Sequence, residues 1–104
     1  MKYVFRSKLG YYKFARKIPN SNRQFIFTLQ TKNLKIAKKI GKIFLLKSSD
    51  YYKMLQNISK DEIMIRHDEI HEALEQYRRA ASKEYSEIEN SRQVFSSNKY
   101  FLQN

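Results

Sequence analysis

The sequence predicts an α+β fold: a small three-stranded antiparallel sheet packed on one helix, followed by a long amphipathic helix. Three observations predict it. Short aromatic runs with strand-like alternation fill the first thirty positions, apolar residues recur at helical spacing after Asn33, and a second helical run follows a break near residue 58. A chain of 104 residues is sized for one small domain, and its seven Phe and eight Tyr supply bulky core material. The expected organisation is a basic β-β-β-α module over 1–57 and a helical extension with a polar C-terminal tail over 58–104.

The first strand is expected at Tyr3-Val4-Phe5-Arg6, closed by the turn Ser7-Lys8-Leu9-Gly10, where Gly10 can adopt positive φ. Tyr11 to Ile18 alternates next, with Tyr12, Phe14 and Ile18 inward and Tyr11, Lys13, Ala15 and Lys17 outward. Arg16 interrupts the apolar side and belongs near the rim. Pro19-Asn20-Ser21-Asn22 is a strong turn signal. Gln24 to Gln30 forms the third run, with Phe25, Phe27 and Leu29 inward and Gln24, Ile26, Thr28 and Gln30 outward. Such a meander needs cover on one face.

Asn33 is a favourable N-cap for the covering helix. Ile36, Ile40, Ile43, Phe44, Tyr51 and Met54 form its expected core stripe, with Gly41 a local weakness. Lys35, Lys38, Lys39 and Lys42 form a separate basic stripe. After Asn57-Ile58-Ser59, the pair Ser59 and Glu62 has capping-box spacing. Ile63, His67, Ile70, Leu74, Tyr77, Ala81 and Ile88 then mark one amphipathic helix to about residue 90. Beyond it lie the isolated apolar patches Val94-Phe95 and Tyr100-Phe101-Leu102.

Charge is distributed unevenly. Within the net +11, residues 1–50 hold thirteen Lys and Arg against one acid, Asp50, whereas residues 51–104 hold eight basic and nine acidic residues. With no carboxylate in the first forty-nine positions, the basic segment favours polyanions, because each phosphate neutralised releases condensed counterions. There is no Cys, which excludes disulfides, thiolate metal sites and thiol nucleophiles. No apolar run approaches the roughly 20 residues of a membrane span; Ile43-Phe44-Leu45-Leu46 is closed off by Lys42 and Lys47. Arg6 and Lys8 interrupt any signal-peptide core. A soluble cytoplasmic protein is expected.

The candidate nucleic-acid ligands are Lys13, Arg16, Lys17, Arg23, Lys32, Lys35, Lys38, Lys39 and Lys42 for phosphates, with Thr28 and Gln30 as base readers. A two-stranded ribbon fits the DNA major groove, where outward side chains meet base edges. His67 and His71 share a helical face, but Asp68 stands where a zinc-protease motif requires Glu, and no third ligand accompanies them. Carboxylates between Asp61 and Glu89 alternate with Arg66, Arg78, Arg79 and Lys83, as surface pairs do. Only Gly10 and Gly41 are present, so no glycine-rich phosphate loop exists. No catalytic constellation emerges, and no cofactor or small-molecule substrate is implied. The aromatics read mainly as core, with Tyr11 the ring expected to remain exposed.

Two segments carry a family resemblance. Gly10-Tyr11-Tyr12-Lys13-Phe14-Ala15-Arg16-Lys17-Ile18-Pro19 resembles a strand in the N-terminal DNA-binding region of phage-type tyrosine recombinases (integrases). Thr28-Leu29-Gln30-Thr31-Lys32-Asn33-Leu34-Lys35-Ile36-Ala37-Lys38-Lys39 resembles the strand, turn and helix start that follow there, in the same order and at the same separation. The resemblance spans about half the chain. It implies a DNA-holding part of an integrase, or a free-standing relative, acting on duplex DNA in phage or mobile-element integration and recombination. The family's catalytic domain is not represented in these residues. The alternative expectation is a protein-interaction module: an inhibitor gripping an acidic partner, or self-association through the 63–88 helix. RNA is a third possible polyanion.

Overall fold

A computed structural model describes the backbone of residues 2–103 and the side chains of residues 2–91. Three strands, β1 (Val4–Arg6), β2 (Tyr12–Lys17) and β3 (Gln24–Thr28), form an antiparallel sheet in the order β1-β2-β3. Three helices follow: α1 (Leu34–Gln56), α2 (Lys60–Ile65) and α3 (His67–Gln103). The architecture is the α+β arrangement expected from the sequence.

Both turns of the sheet depend on backbone geometry that few residues tolerate. Gly10 has φ 90°, closing the β1–β2 connection with Gly10 N donating to Ser7 O at 3.0 Å. Asn20 has φ 57° in the β2–β3 turn, where Ile18 N donates to Arg23 O at 3.0 Å. The register pairs Phe14 with Val4 on one side and Phe27 on the other. Antiparallel partners share a face, so these residues and Phe25 turn toward the helices.

Phe44 is the hub of the core. Its ring lies 4.8 Å from Phe14, 5.0 Å from Phe27 and 5.7 Å from Phe25, centroid to centroid. These rings are almost fully buried; Phe14 and Phe27 meet Phe44 edge-on while Phe25 stacks on it with an offset, arrangements that suit aromatic quadrupoles. Buried Ser48 satisfies its hydroxyl by donating to Phe44 O at 2.7 Å.

Helix α1 starts where the cap residue requires it. Asn33 Oδ1 accepts from Lys35 N at 2.9 Å and Ile36 N at 3.3 Å. Its buried arc is broader than the expected stripe: Ala37, Gly41, Ser48, Tyr52 and Leu55 join Ile40 and Phe44, whereas Met54 is exposed. Two neighbours explain the width. Phe44 and Tyr52 face the sheet, while Tyr51 meets Tyr77 of α3 at 5.7 Å and Lys47 pairs with Glu84 at 2.6 Å.

The second helical run is broken at Arg66, where φ −95° and ψ 16° end α2 before α3 begins. The seam had suggested one helix because its apolar spacing continues through the kink. Ser59 Oγ accepts from Glu62 N at 3.3 Å, supplying the side-chain half of the capping box. Helix α3 continues past residue 90 to Gln103; the side chains of Val94, Phe95, Tyr100, Phe101 and Leu102 lie outside the described residues. Ile63, Ile70, Leu74 and Ala81 join the sheet and α1 in one core, while Ile88 is half exposed. The turn near residue 57 therefore bends a continuous core, and the seam that a second copy would use is packed within the chain.

Candidate nucleic-acid interface

Helices cover only one side of the sheet, leaving an uncovered face built by alternation. Lys13 opposes Thr28, Ala15 opposes Ile26, and Lys17 opposes Gln24. Phe5 extends the first row on β1 opposite Lys13. The β2–β3 ribbon thus presents a polar row, an apolar row and a polar row. Lys17, Gln24 and Thr28 are exposed, Lys13 is partly covered, and Ile26 is 49% exposed.

Arg23 lies at the β2–β3 turn, next to α2. With Asn20, Ser21, Asn22, Lys60 and Met64 it lines a cleft of about 210 Å³. The turn is fixed against the end of α1, because Asn20 Nδ2 is within donating distance of Ile58 O at 2.6 Å, Gln56 O at 3.2 Å and Leu55 O at 3.4 Å. At the opposite end of the sheet, the Lys32 ammonium lies 4.9 Å from the Tyr11 ring centre. Tyr11 is 43% exposed, as its sequence position suggested.

Two of the strand candidates, Arg16 and Gln30, lie elsewhere. Arg16 is on the helix-facing side, its guanidinium 4.0 Å from the Tyr52 ring centre and 5.2 Å from that of Tyr3. It is a rim residue, but its charge packs against the core aromatics. Gln30 falls after β3, at φ 55°. There the ladder changes register, with Leu29 N donating to Tyr12 O and Tyr12 N donating to Thr31 O. Gln30 N also donates to Thr28 Oγ1 at 3.2 Å, so the Thr28 hydroxyl braces this turn.

Lys35, Lys38, Lys39 and Lys42 are exposed on α1. At 100° per residue, Lys35, Lys39 and Lys42 lie opposite the buried arc and Lys38 lies on its flank. The candidates therefore divide between the outer sheet surface and the solvent face of a helix packed behind the sheet. A single straight duplex cannot rest on both.

Trailing acids do not mask the cations. Among the described residues the ion pairs are Lys47–Glu84, Arg66–Glu69, Arg78–Glu75 and Arg79–Glu75, and none includes a candidate ligand. Glu75 sits below the usual carboxylate range chiefly because Arg78 hydrogen-bonds to it. Of the α3 acids in these pairs, Glu75 engages Arg78 and Arg79 of its own helix, Glu69 engages Arg66 at the α2–α3 junction, and Glu84 engages Lys47 of α1.

No family model matches the chain, and no curated protein or solved structure does. Its functional reading consequently rests on geometry and charge.

The histidines form a packing contact: His71 is edge-on to Phe25 at 5.0 Å, and His67 is 6.2 Å from His71. Among the described residues no three candidate metal ligands cluster, and no helix is long and apolar enough to cross a membrane. Gln24, Ile26, Phe5 and Lys60 were missing from the candidate ligands. Alternation could have added Gln24 and Ile26, whereas only tertiary contact brings Lys60 beside Arg23.

Proposed function

We propose that this chain binds duplex DNA by laying the outer face of the β2–β3 ribbon in the major groove. The observation that carries this reading is the uncovered ribbon with Lys13, Lys17, Gln24 and Thr28 directed outward, while both large helices lie behind it. The major groove is about 12 Å wide and admits such a ribbon. Lys13, Lys17, Arg23 and Lys32 supply phosphate contacts, and Gln24 and Thr28 offer donors and acceptors to base edges. The α1 lysines form a separate cationic surface.

The integrase resemblance supports a role in phage or mobile-element recombination, where the ribbon would hold an accessory or arm-type site. A second reading has its own support: Met64 and Ile65 are adjacent on α2 and about four-fifths exposed, which favours contact with another protein. Sedimentation velocity separates the two readings. The chain is expected to remain monomeric alone, move into a faster species with a 20-base-pair duplex, and ignore polyglutamate of comparable charge. Self-association without duplex uptake, or preference for polyglutamate, would instead support the protein-interaction reading.

A further inference from the structure

We propose that the apolar middle row of the ribbon, Ile26 with Ala15, reads the 5-methyl group of thymine in the major groove, making this surface selective for thymine-containing duplex sites. The inference rests on the duplex-binding reading above and identifies a specificity determinant within it.

Ile26 lies at the centre of the exposed ribbon. Gln24 and Thr28 flank it on the same face of β3, Ala15 opposes it on β2, and Lys13 and Lys17 occupy the neighbouring rows. It is 49% exposed and outside the core formed by Phe14, Phe25, Phe27 and Phe44. Strand propensity does not require a purely apolar residue here, since Thr28 is β-branched on the same face and carries a hydroxyl.

The surrounding charge supplies the case for the occupant. Lys13 and Lys17 attract phosphates and carry the centre of the ribbon toward the groove floor. Every base pair offers hydrogen-bonding groups there, but only thymine among the unmodified bases offers a methyl group, and apolar side chains are its natural contacts. Gln24 and Thr28 can meet the polar edges on either side. The same chemistry disfavours RNA, whose uracil lacks the methyl and whose A-form major groove is too narrow for side chains to read.

The test begins with duplexes retained by the wild-type protein from a random-sequence pool. The strongest binder is remade with deoxyuridine in place of thymidine, a change that removes the methyl groups and leaves pairing intact. Wild-type affinity is expected to fall about threefold to fourfold for each contacted methyl, the ratio expected for burying one such carbon. Ile26→Ala, checked for an unchanged circular dichroism spectrum, should bind the thymidine duplex correspondingly weakly and show no preference between duplexes.

Equal wild-type affinity for the two duplexes would overturn the methyl contact while leaving duplex binding in place. Failure to retain any duplex would overturn both readings. Binding of polyglutamate in place of duplex, lost in Ile26→Ala, would assign the row to protein docking and overturn the proposal. The wild-type comparison needs no variant, so a folding defect in Ile26→Ala leaves the test intact.

Discussion

Tyr52 and Arg16 show how one charged residue can belong to the core of a basic protein. The Tyr52 hydroxyl is buried without a hydrogen-bond partner among the described residues, while the Arg16 guanidinium covers the ring. Burial pushes the phenol from 10 up to about 12, and the Arg16 charge partly opposes the rise. The unfolded chain would ionise near pH 10, so the folded state holds this proton more tightly. The contribution is fully present below pH 10 and is lost as pH rises toward 12. Tyr52→Phe should reduce that alkaline loss and raise neutral stability by up to about 1 kcal/mol, because it removes an unpartnered buried hydroxyl. Urea titrations at pH 7 and pH 11 measure both effects.

Among the elements, the β2–β3 turn links the ribbon to the helical layer. Asn20 combines positive φ with side-chain donation to carbonyls at the α1–α2 junction. Asn20→Ala should cost about 2 kcal/mol, through the lost hydrogen bonds and left-handed strain, whereas Asn20→Gly should cost about 1 kcal/mol because glycine tolerates the backbone. Urea unfolding of the two variants separates the contributions. Sequence made this turn, the inward Phe14, Phe25 and Phe27, and the Asn33 cap legible, since each follows from local chemistry or period two. The kink at Arg66 was not legible because the apolar seam runs through it. The end of β3 was also hidden: Gln30 continues the alternation on paper, but its positive φ breaks the ladder. Met54 follows the inward spacing of α1 yet is exposed, because the placement of α1's two neighbours, not its period, decides which flank is covered.

Across the whole molecule, the N-terminal charge excess acts from two surfaces. Composition identified the excess but could not divide it, because a sheet and its covering helix expose opposite sides. The ion-paired acids of α3 engage Lys47, Arg66, Arg78 and Arg79, leaving the ribbon cations outside the ion pairs of the described residues. If duplex binding uses the four cations Lys13, Lys17, Arg23 and Lys32, the logarithm of affinity should fall with the logarithm of salt concentration with a slope of about −3.6. Lys13→Gln with Lys17→Gln should weaken binding and reduce the slope's magnitude by about 1.8. A salt titration of duplex affinity, with wild-type and doubly substituted proteins side by side, tests the account most directly. The account predicts a steep wild-type dependence that flattens in the double variant; an unchanged affinity and slope in that variant, or no duplex binding even at low salt, would contradict it.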